Sequence, residues 1–305
     1  MLRRDMTEMT GTTGTDATVR PVARVVDAVR VQEGAGFWVR RPFPTAALPM
    51  IDPFLLLDEM GPSELAPGEA KGAPDHPHRG FETVTYVLDG ETEHRDSAGN
   101  HGTIGPGDVQ WMTAGSGVVH SEMPSHALQE AGGRMHGFQL WVNLPRAEKM
   151  QAPRYQDLRA ADIPRVEVDG GSATVIAGDA FGVRGPALTH VPITYVHLTL
   201  DPGARVEVGV AASQEAWVYA FGGSARVGRD GRDVRDGQAA IFGSGDAVSV
   251  AAGDAGLQAL LLAGQPLREP VARYGPFVMS TKQELIEAFD DFEAGRMGAI
   301  APQVG

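Results

Sequence analysis

Turn residues cut this chain into short pieces, and that punctuation limits its fold more than any other feature. From residue 60 to 265 it meets Asp89-Gly90, Ala98-Gly99-Asn100, Gly105-Pro106-Gly107-Asp108, Asp201-Pro202-Gly203, Gly222-Gly223, Asp230-Gly231 and Asp236-Gly237. Between these lie short runs rich in Val, Thr, Tyr and Ile, the residues that suit a pleated surface. Many short strands so punctuated predict an all-β sandwich or barrel. The 39 glycines and 21 prolines fit a turn-rich β protein, and 305 residues suffice for two domains of ordinary size.

A weak internal repeat favours two domains. ETVTYVLDG from Glu82 and EAWVYAFGG from Glu215 share a Tyr four positions on (Tyr86, Tyr219) and a Gly eight positions on (Gly90, Gly223). Pro145, Pro153 and Pro164 interrupt a polar stretch where the two copies join. The end of the chain changes character. Thr281-Lys282-Gln283-Glu284 reads as a capping box, with Leu285, Ile286, Phe289 and Phe292 at helical spacing and Gly295 as a stop. An amphipathic helix lying on a β domain is expected there.

The chemistry is concentrated in two short runs, HPHRGFE (76–82) and GVVHSEMP (117–124). Each borders a strand-like segment, Thr83-Val84-Thr85-Tyr86-Val87-Leu88 in one case and Val118-Val119 in the other. Residues two apart in a strand point the same way, about 6.5–7 Å along the chain. His76 and His78 can therefore share one face, as can His120 and Glu122, and both pairs can aim into one barrel interior. Three imidazoles and a carboxylate suit Fe, Mn, Ni, Co, Cu or Zn rather than Ca or Mg. With the glycines after each repeat as anchors, the same four positions in the second copy are Gly209, Ala211, Val250 and Ala252, none of which can coordinate a metal.

Other function classes fall away. The formal charge of −13 and the mixing of Arg229, Arg232 and Arg235 with Asp230, Asp233 and Asp236 argue against direct nucleic-acid binding. The absence of cysteine excludes disulfides, thiolate zinc sites and cysteine nucleophiles. No apolar run of about 18 residues offers a membrane span, and no apolar core follows Arg3 and Arg4 to make a secretory signal. A cytoplasmic protein with no membrane partner is expected, with a flexible tail rich in Thr and Gly at its start.

Two segments carry a family pattern. HPHRGFETVTYVLDG (76–90) resembles the first cupin motif, and PGDVQWMTAGSGVVHSEMP (106–124) resembles the second in the form used by pirins. DPFLLLDEMGP (52–62), GFQLWVNLP (137–145) and YGPFVMSTKQEL (274–285) also resemble pirin segments, so the likeness spans about residues 20–297. It implies two cupin jelly-roll β-barrels facing each other, with a C-terminal α-helix. The expected division is a tail over 1–20, a metal-bearing barrel over 21–150, a barrel without ligands over 151–278 and a helix over 279–297. The resemblance carries the ligand set onto His76, His78, His120 and Glu122, around one divalent transition metal. Fe(II) comes first, with Mn, Ni, Co, Cu or Zn as alternatives.

The resemblance also implies activity. A quercetin 2,3-dioxygenase-like oxidoreductase would take a quercetin-type flavonol, or a related phenol or enol, together with O2. Glu122 would be its catalytic base, accepting the proton of a hydroxyl acidified by the metal, with ring opening and release of carbon monoxide. A second reading is regulatory: a redox-sensing protein that binds a transcription factor or metabolic enzyme, with the metal as switch. Glu82 occupies the usual cupin carboxylate place and is expected to accept an N–H from a ligand imidazole. His94, His101, His126, His136, His190 and His197 read as surface or core residues, with His94 and His101 solvated beside turns. Tyr86, Trp111 and Met112 read as core or pocket wall. Gly115-Ser116-Gly117 lacks the setting of a nucleophile turn.

Overall fold

Strand alternation decides the layering. The computed structural model describes residues 17–302. In strand Glu215–Val227, Trp217, Tyr219 and Phe221 enter one buried apolar cluster, whereas Ala216, Val218 and Ala220 enter another. The same parity divides Leu260 and Leu262 from Ala259, Leu261 and Ala263 in strand Ala247–Gly264. These strands thus bury both faces, and two barrels stand face to face as expected. Phe43, Phe54, Tyr86, Trp111 and Phe138 of the first barrel meet Trp217, Tyr219 and Leu260 of the second in the shared cluster. Phe43 and Phe54 pack edge-on against Trp217, with ring centroids 5.2 and 5.5 Å away. That is a favoured arrangement for aromatic quadrupoles.

The first barrel combines a seven-stranded sheet with a four-stranded one, and the second is built on a nine-stranded sheet. Two edge strands cross the division expected between residues 150 and 151. Strand Val22–Asp27 pairs with Gln238–Phe242 of the second barrel, and Arg154–Leu158 pairs with Val109–Thr113 of the first. Residues 1–16 of the expected tail lie outside the described residues. The rest of it is anchored: Val19 bridges to Ala247, and Arg20, only 2% exposed, donates to the carbonyls of Gln214 and Ala211.

The helix Lys282–Glu293 starts in the expected capping box. Thr281 Oγ1 accepts from Glu284 N–H at 3.2 Å, and Glu284 Oε2 accepts from Thr281 N–H at 2.9 Å. Leu285 and Ala288 pack with Phe277, Met279 and Met297 against Val119, so the helix covers the outside of the small sheet of the first barrel. Ile286 and Phe292, expected on the buried face, are instead 54% and 38% exposed. Helical spacing places four apolar residues on a broad stripe, and only its centre meets the sheet. Among the described residues no helix is long and apolar enough to cross a membrane.

Polar groups also join the barrels. Glu59 is fully buried and accepts from Arg40 Nε and Nη2 (2.9 and 2.6 Å), from Tyr219 OH of the second barrel (2.6 Å) and from His136 Nε2 (3.0 Å). Arg40 also reaches Asp236 of the second barrel at 3.0 Å. Removing one partner of a buried pair leaves an uncompensated charge. Arg40→Met is therefore expected to cost about 3 kcal/mol, lowering Tm by about 5 °C in calorimetry.

Nearby, Tyr86 OH donates to His197 Nδ1 at 2.9 Å, and His197 Nε2–H donates to Gln258 Oε1 at 2.7 Å. Burial holds the His197 pKa down to about 4, and the bond to Gln258 pulls weakly the other way. The unfolded chain thus binds a proton at its ordinary value near 6.5 while the fold still refuses it. Stability from this group is complete above pH 6.5 and is lost as the pH falls toward 4. His197→Gln should narrow the difference between Tm at pH 7 and at pH 5 relative to wild type; an unchanged difference would assign the acid sensitivity elsewhere.

Candidate metal centre

Two neighbouring strands of the small sheet carry the predicted ligands. His76 and His78 lie in Ala73–His78, while His120 and Glu122 lie in Val118–Pro124. The strands are antiparallel, with His76 opposite His120 and His78 opposite Val118. Ring centroids of His76, His78 and His120 stand 4.3–4.9 Å apart. One ring nitrogen from each can be chosen so that all three lie within 4.8 Å of one another. Beyond His120 the ladder shifts register and Glu122 faces Ala73. That irregularity carries the carboxylate out of the tight group, although it lines the same cavity as His76 and His78. Glu122 Oε1 accepts from Thr85 Oγ1 at 2.6 Å, and Oε2 lies 3.4 Å from Gln139 Nε2.

The hydrogen bonds set the histidine tautomers. His76 Nδ1–H donates to Pro74 O at 2.7 Å, and His78 Nδ1–H donates to Pro276 O at 3.1 Å. Both Nε2 atoms therefore carry lone pairs, and they face each other across 3.1 Å. Two acceptors at that distance repel unless a cation lies between them. His120 is 0% exposed, and neither of its ring nitrogens has a hydrogen-bond partner. Burial depresses the pKa of both His78 and His120, with neighbouring imidazoles adding to the effect, so both stay neutral and able to ligate. Nitrogens bound to one ion at about 2.0–2.1 Å stand about 3 Å apart. The donor set thus fits a transition metal.

Several sequence expectations are corrected. His94 is not solvated: it is 0% exposed, its Nε2 lies 3.3 Å from Asp96 Oδ2, and its Nδ1 accepts from Gln110 Nε2 at 2.7 Å. Its neighbouring turn is exposed, but strand parity points His94 inward beside His120, with ring centroids 5.4 Å apart. Glu82 accepts from Thr113 Oγ1 at 2.7 Å rather than from a ligand imidazole. The Nδ1–H groups of His76 and His78 are met by backbone carbonyls instead. In the second barrel Val206 faces Val250 as His76 faces His120, and Val208 faces Val248 as His78 faces Val118. The counterparts of His76 and His78 are therefore Val206 and Val208, not Gly209 and Ala211. These valines are buried in that barrel's apolar interior.

His76 and His78 open on a cavity of about 1130 Å³. Thr85, Gln139 and Trp141 line it from the central strands, and Arg273 and Pro276 from the C-terminal hairpin. None of these five entered the predicted site. Gln139 and Trp141 were reachable, because Phe138, Leu140 and Val142 take the alternate positions in the apolar seam. Arg273 and Pro276 arrive from nearly 200 residues away in sequence and left no local signal.

His120→Val tests the centre, because valine fills the matching place in the second barrel. The variant should lose stoichiometric metal and the Tm rise produced by metal, about 3–4 kcal/mol at saturating ion. Its metal-free form should melt no lower than the metal-free wild type, since two unpartnered buried nitrogens disappear. Retained stoichiometric metal would overturn the assignment.

Comparison with known proteins agrees with this arrangement. Residues 36–142 match the pirin family, and residues 195–298 match the pirin C-terminal cupin domain. The chain is 41% identical over 302 residues to Pirin-like protein 2 of Arabidopsis thaliana, spanning 97% of this chain and 91% of that protein. It is 45% identical over 282 residues to a pirin-like protein of Caulobacter vibrioides, spanning 91% and 99%. A crystal structure of quercetin 2,3-dioxygenase from Acinetobacter baumannii superposes with a TM-score of 0.88 at 39% identity, covering 93% of this chain and all of that one. With two matched domains, full-length relatives and a shared fold, the chain belongs to the pirin family of two-cupin proteins.

Proposed function

We propose that His76, His78, His120 and Glu122 hold one divalent transition metal, Fe(II) foremost, and that the protein is a dioxygenase of quercetin-type flavonols. The observation that carries this reading is the convergence of three imidazoles, two of them lining a cavity large enough for a flat polyphenol. Likeness to the quercetin 2,3-dioxygenase from Acinetobacter baumannii supports the substrate class. When bound, the metal supplies Lewis acidity toward a substrate hydroxyl and a redox centre for dioxygen chemistry.

The chain supplies the rest. Glu122 takes the hydroxyl proton on Oε2, the oxygen with the looser contact, while Thr85 holds Oε1 and fixes the carboxylate plane. His78 is braced by Pro276 O on one side and by the edge of Trp141, 5.1 Å away, on the other. Trp141 packs in turn on Phe81 at 4.3 Å, which holds the indole that braces His78 rigidly in place. Leu56, Met60 and Met135 add apolar lining that keeps water from the reacting ring.

Aerobic incubation of iron-loaded protein with quercetin tests the reading. One dioxygen consumed and one carbon monoxide released per flavonol are expected. Glu122→Gln should retain metal yet lose at least about 100-fold in turnover, the usual worth of a positioned base. Flavonol loss no faster than with free iron would overturn the proposal.

A further inference from the structure

Arg30, Arg41, Lys71 and Arg273 line the cavity, and among them only Arg273 sits over Trp141, the neighbour of His78. Arg41 is neutralised, donating to both oxygens of Asp58 at 2.6 Å and to Glu33 as well. Arg30 lies over the partly exposed Trp38, near the outer rim. Arg273 differs from both. It lines the cavity, and its guanidinium sits 4.7 Å over the ring of Trp141. Its protein hydrogen bond is a 3.2 Å contact from Nη1 to Leu55 O. Among the described residues no carboxylate lies within 4.0 Å of it. Arg41 and then Asp58 act most strongly on its charge, and both oxygens of Asp58 are already held by Arg41.

A guanidinium has five N–H donors in a planar fork, matched to carboxylate oxygens and always charged. Leaving such a group half-buried with one weak acceptor is costly unless something else fills the fork. Position says what that would be. Trp141 lies between Arg273 and His78, 4.7 Å from the first and 5.1 Å from the second, so guanidinium and imidazole stand within about 10 Å. A flat molecule bound at the histidines can span that distance and touch both.

We infer that Arg273 is a second substrate anchor, binding an anionic oxygen, carboxylate or phenolate, at the far end of an aromatic enol whose hydroxyl sits at the histidines. This assignment rests on the flavonol reading above and narrows it: the cavity selects acidic enols over neutral ones of the same shape. Arg273 belongs to the C-terminal hairpin Ala272–Tyr274 and Phe277–Met279, so this selectivity comes from the far end of the chain.

Calorimetric titration of the full, zinc-loaded chain tests it without turnover. The probes are 3-hydroxyflavone, the same molecule with a carboxylate on its pendant ring, and the methyl ester of that acid. The acid should bind at least about tenfold more tightly than the ester, the scale of a charge-assisted bond. Arg273→Gln should abolish that preference while leaving 3-hydroxyflavone affinity within about twofold, and Arg273→Lys should keep part of it. A purely structural role for Arg273 would weaken all three ligands alike. Equal binding of acid and ester by the wild type overturns the anchor but leaves the metal reading standing. Failure of 3-hydroxyflavone to bind zinc-loaded protein above the metal-free background overturns both. Should Arg273→Gln not fold, the wild-type comparison and Arg273→Lys still decide the question.

Discussion

The central strands bury both faces, and the rest of the molecule follows from that constraint. One face must be apolar, because it meets the other barrel across a seam of Phe54, Trp111, Phe138, Trp217 and Tyr219. Large aromatic residues there withdraw the most surface from water per position. With the seam securing the fold, the opposite face of each barrel is free to differ. The second barrel fills its interior with Val206, Val208, Val248 and Val250. The first places His76, His78 and His120 at the corresponding ladder positions, with Thr85 and Gln139 beyond them. One barrel is packed solid and the other keeps an open polar interior, on the same strand plan.

Keeping such an interior requires that each polar atom have a partner. Backbone carbonyls of Pro74 and Pro276 take the N–H groups of two imidazoles, and Thr85 takes one oxygen of Glu122. Proline suits this role, since it offers a carbonyl without an N–H that would need a partner of its own. The unpartnered nitrogens of His120 and the facing Nε2 atoms of His76 and His78 are what remains. The chemistry of these ring nitrogens is that of metal donors. In the seam, Glu59, fully buried, is met by Arg40, Tyr219 and His136.

Much of this was legible in the sequence, because it rests on local rules. Turn residues marked the strands, parity paired His76 with His78, and Thr281 with Glu284 marked the helix start. What escaped were features set by register and by long-range docking. A three-residue slip separated Gly209 from Val206, because the turns between repeats differ in length and a ladder cannot be counted across them. His94 looked solvated beside its turn, yet pairing of its strand with Val118–Pro124 carried it inside. Glu82 held the expected motif position but met Thr113, while backbone carbonyls took the N–H groups of His76 and His78. The exchange of Val22–Asp27 and Arg154–Leu158 between barrels had no compositional signature at all.

The hairpin over residues 272–279 shows why such long-range docking matters to chemistry. Pro276 O fixes the tautomer of His78, so the donor atom offered to a metal depends on a segment nearly 200 residues away. That segment is clamped by Lys149, whose buried Nζ donates to Gly80 O, Asn143 Oδ1 and Val278 O at 2.6–3.0 Å. Arg79, next to His78, adds a bond to Asp291 of the helix at 2.7 Å. If the docked hairpin holds His78 in its ligating form, then by linkage an ion on His78 must favour the docked hairpin equally. The second barrel, which has no ligands at these ladder positions, takes part in the site through the chain that leaves it.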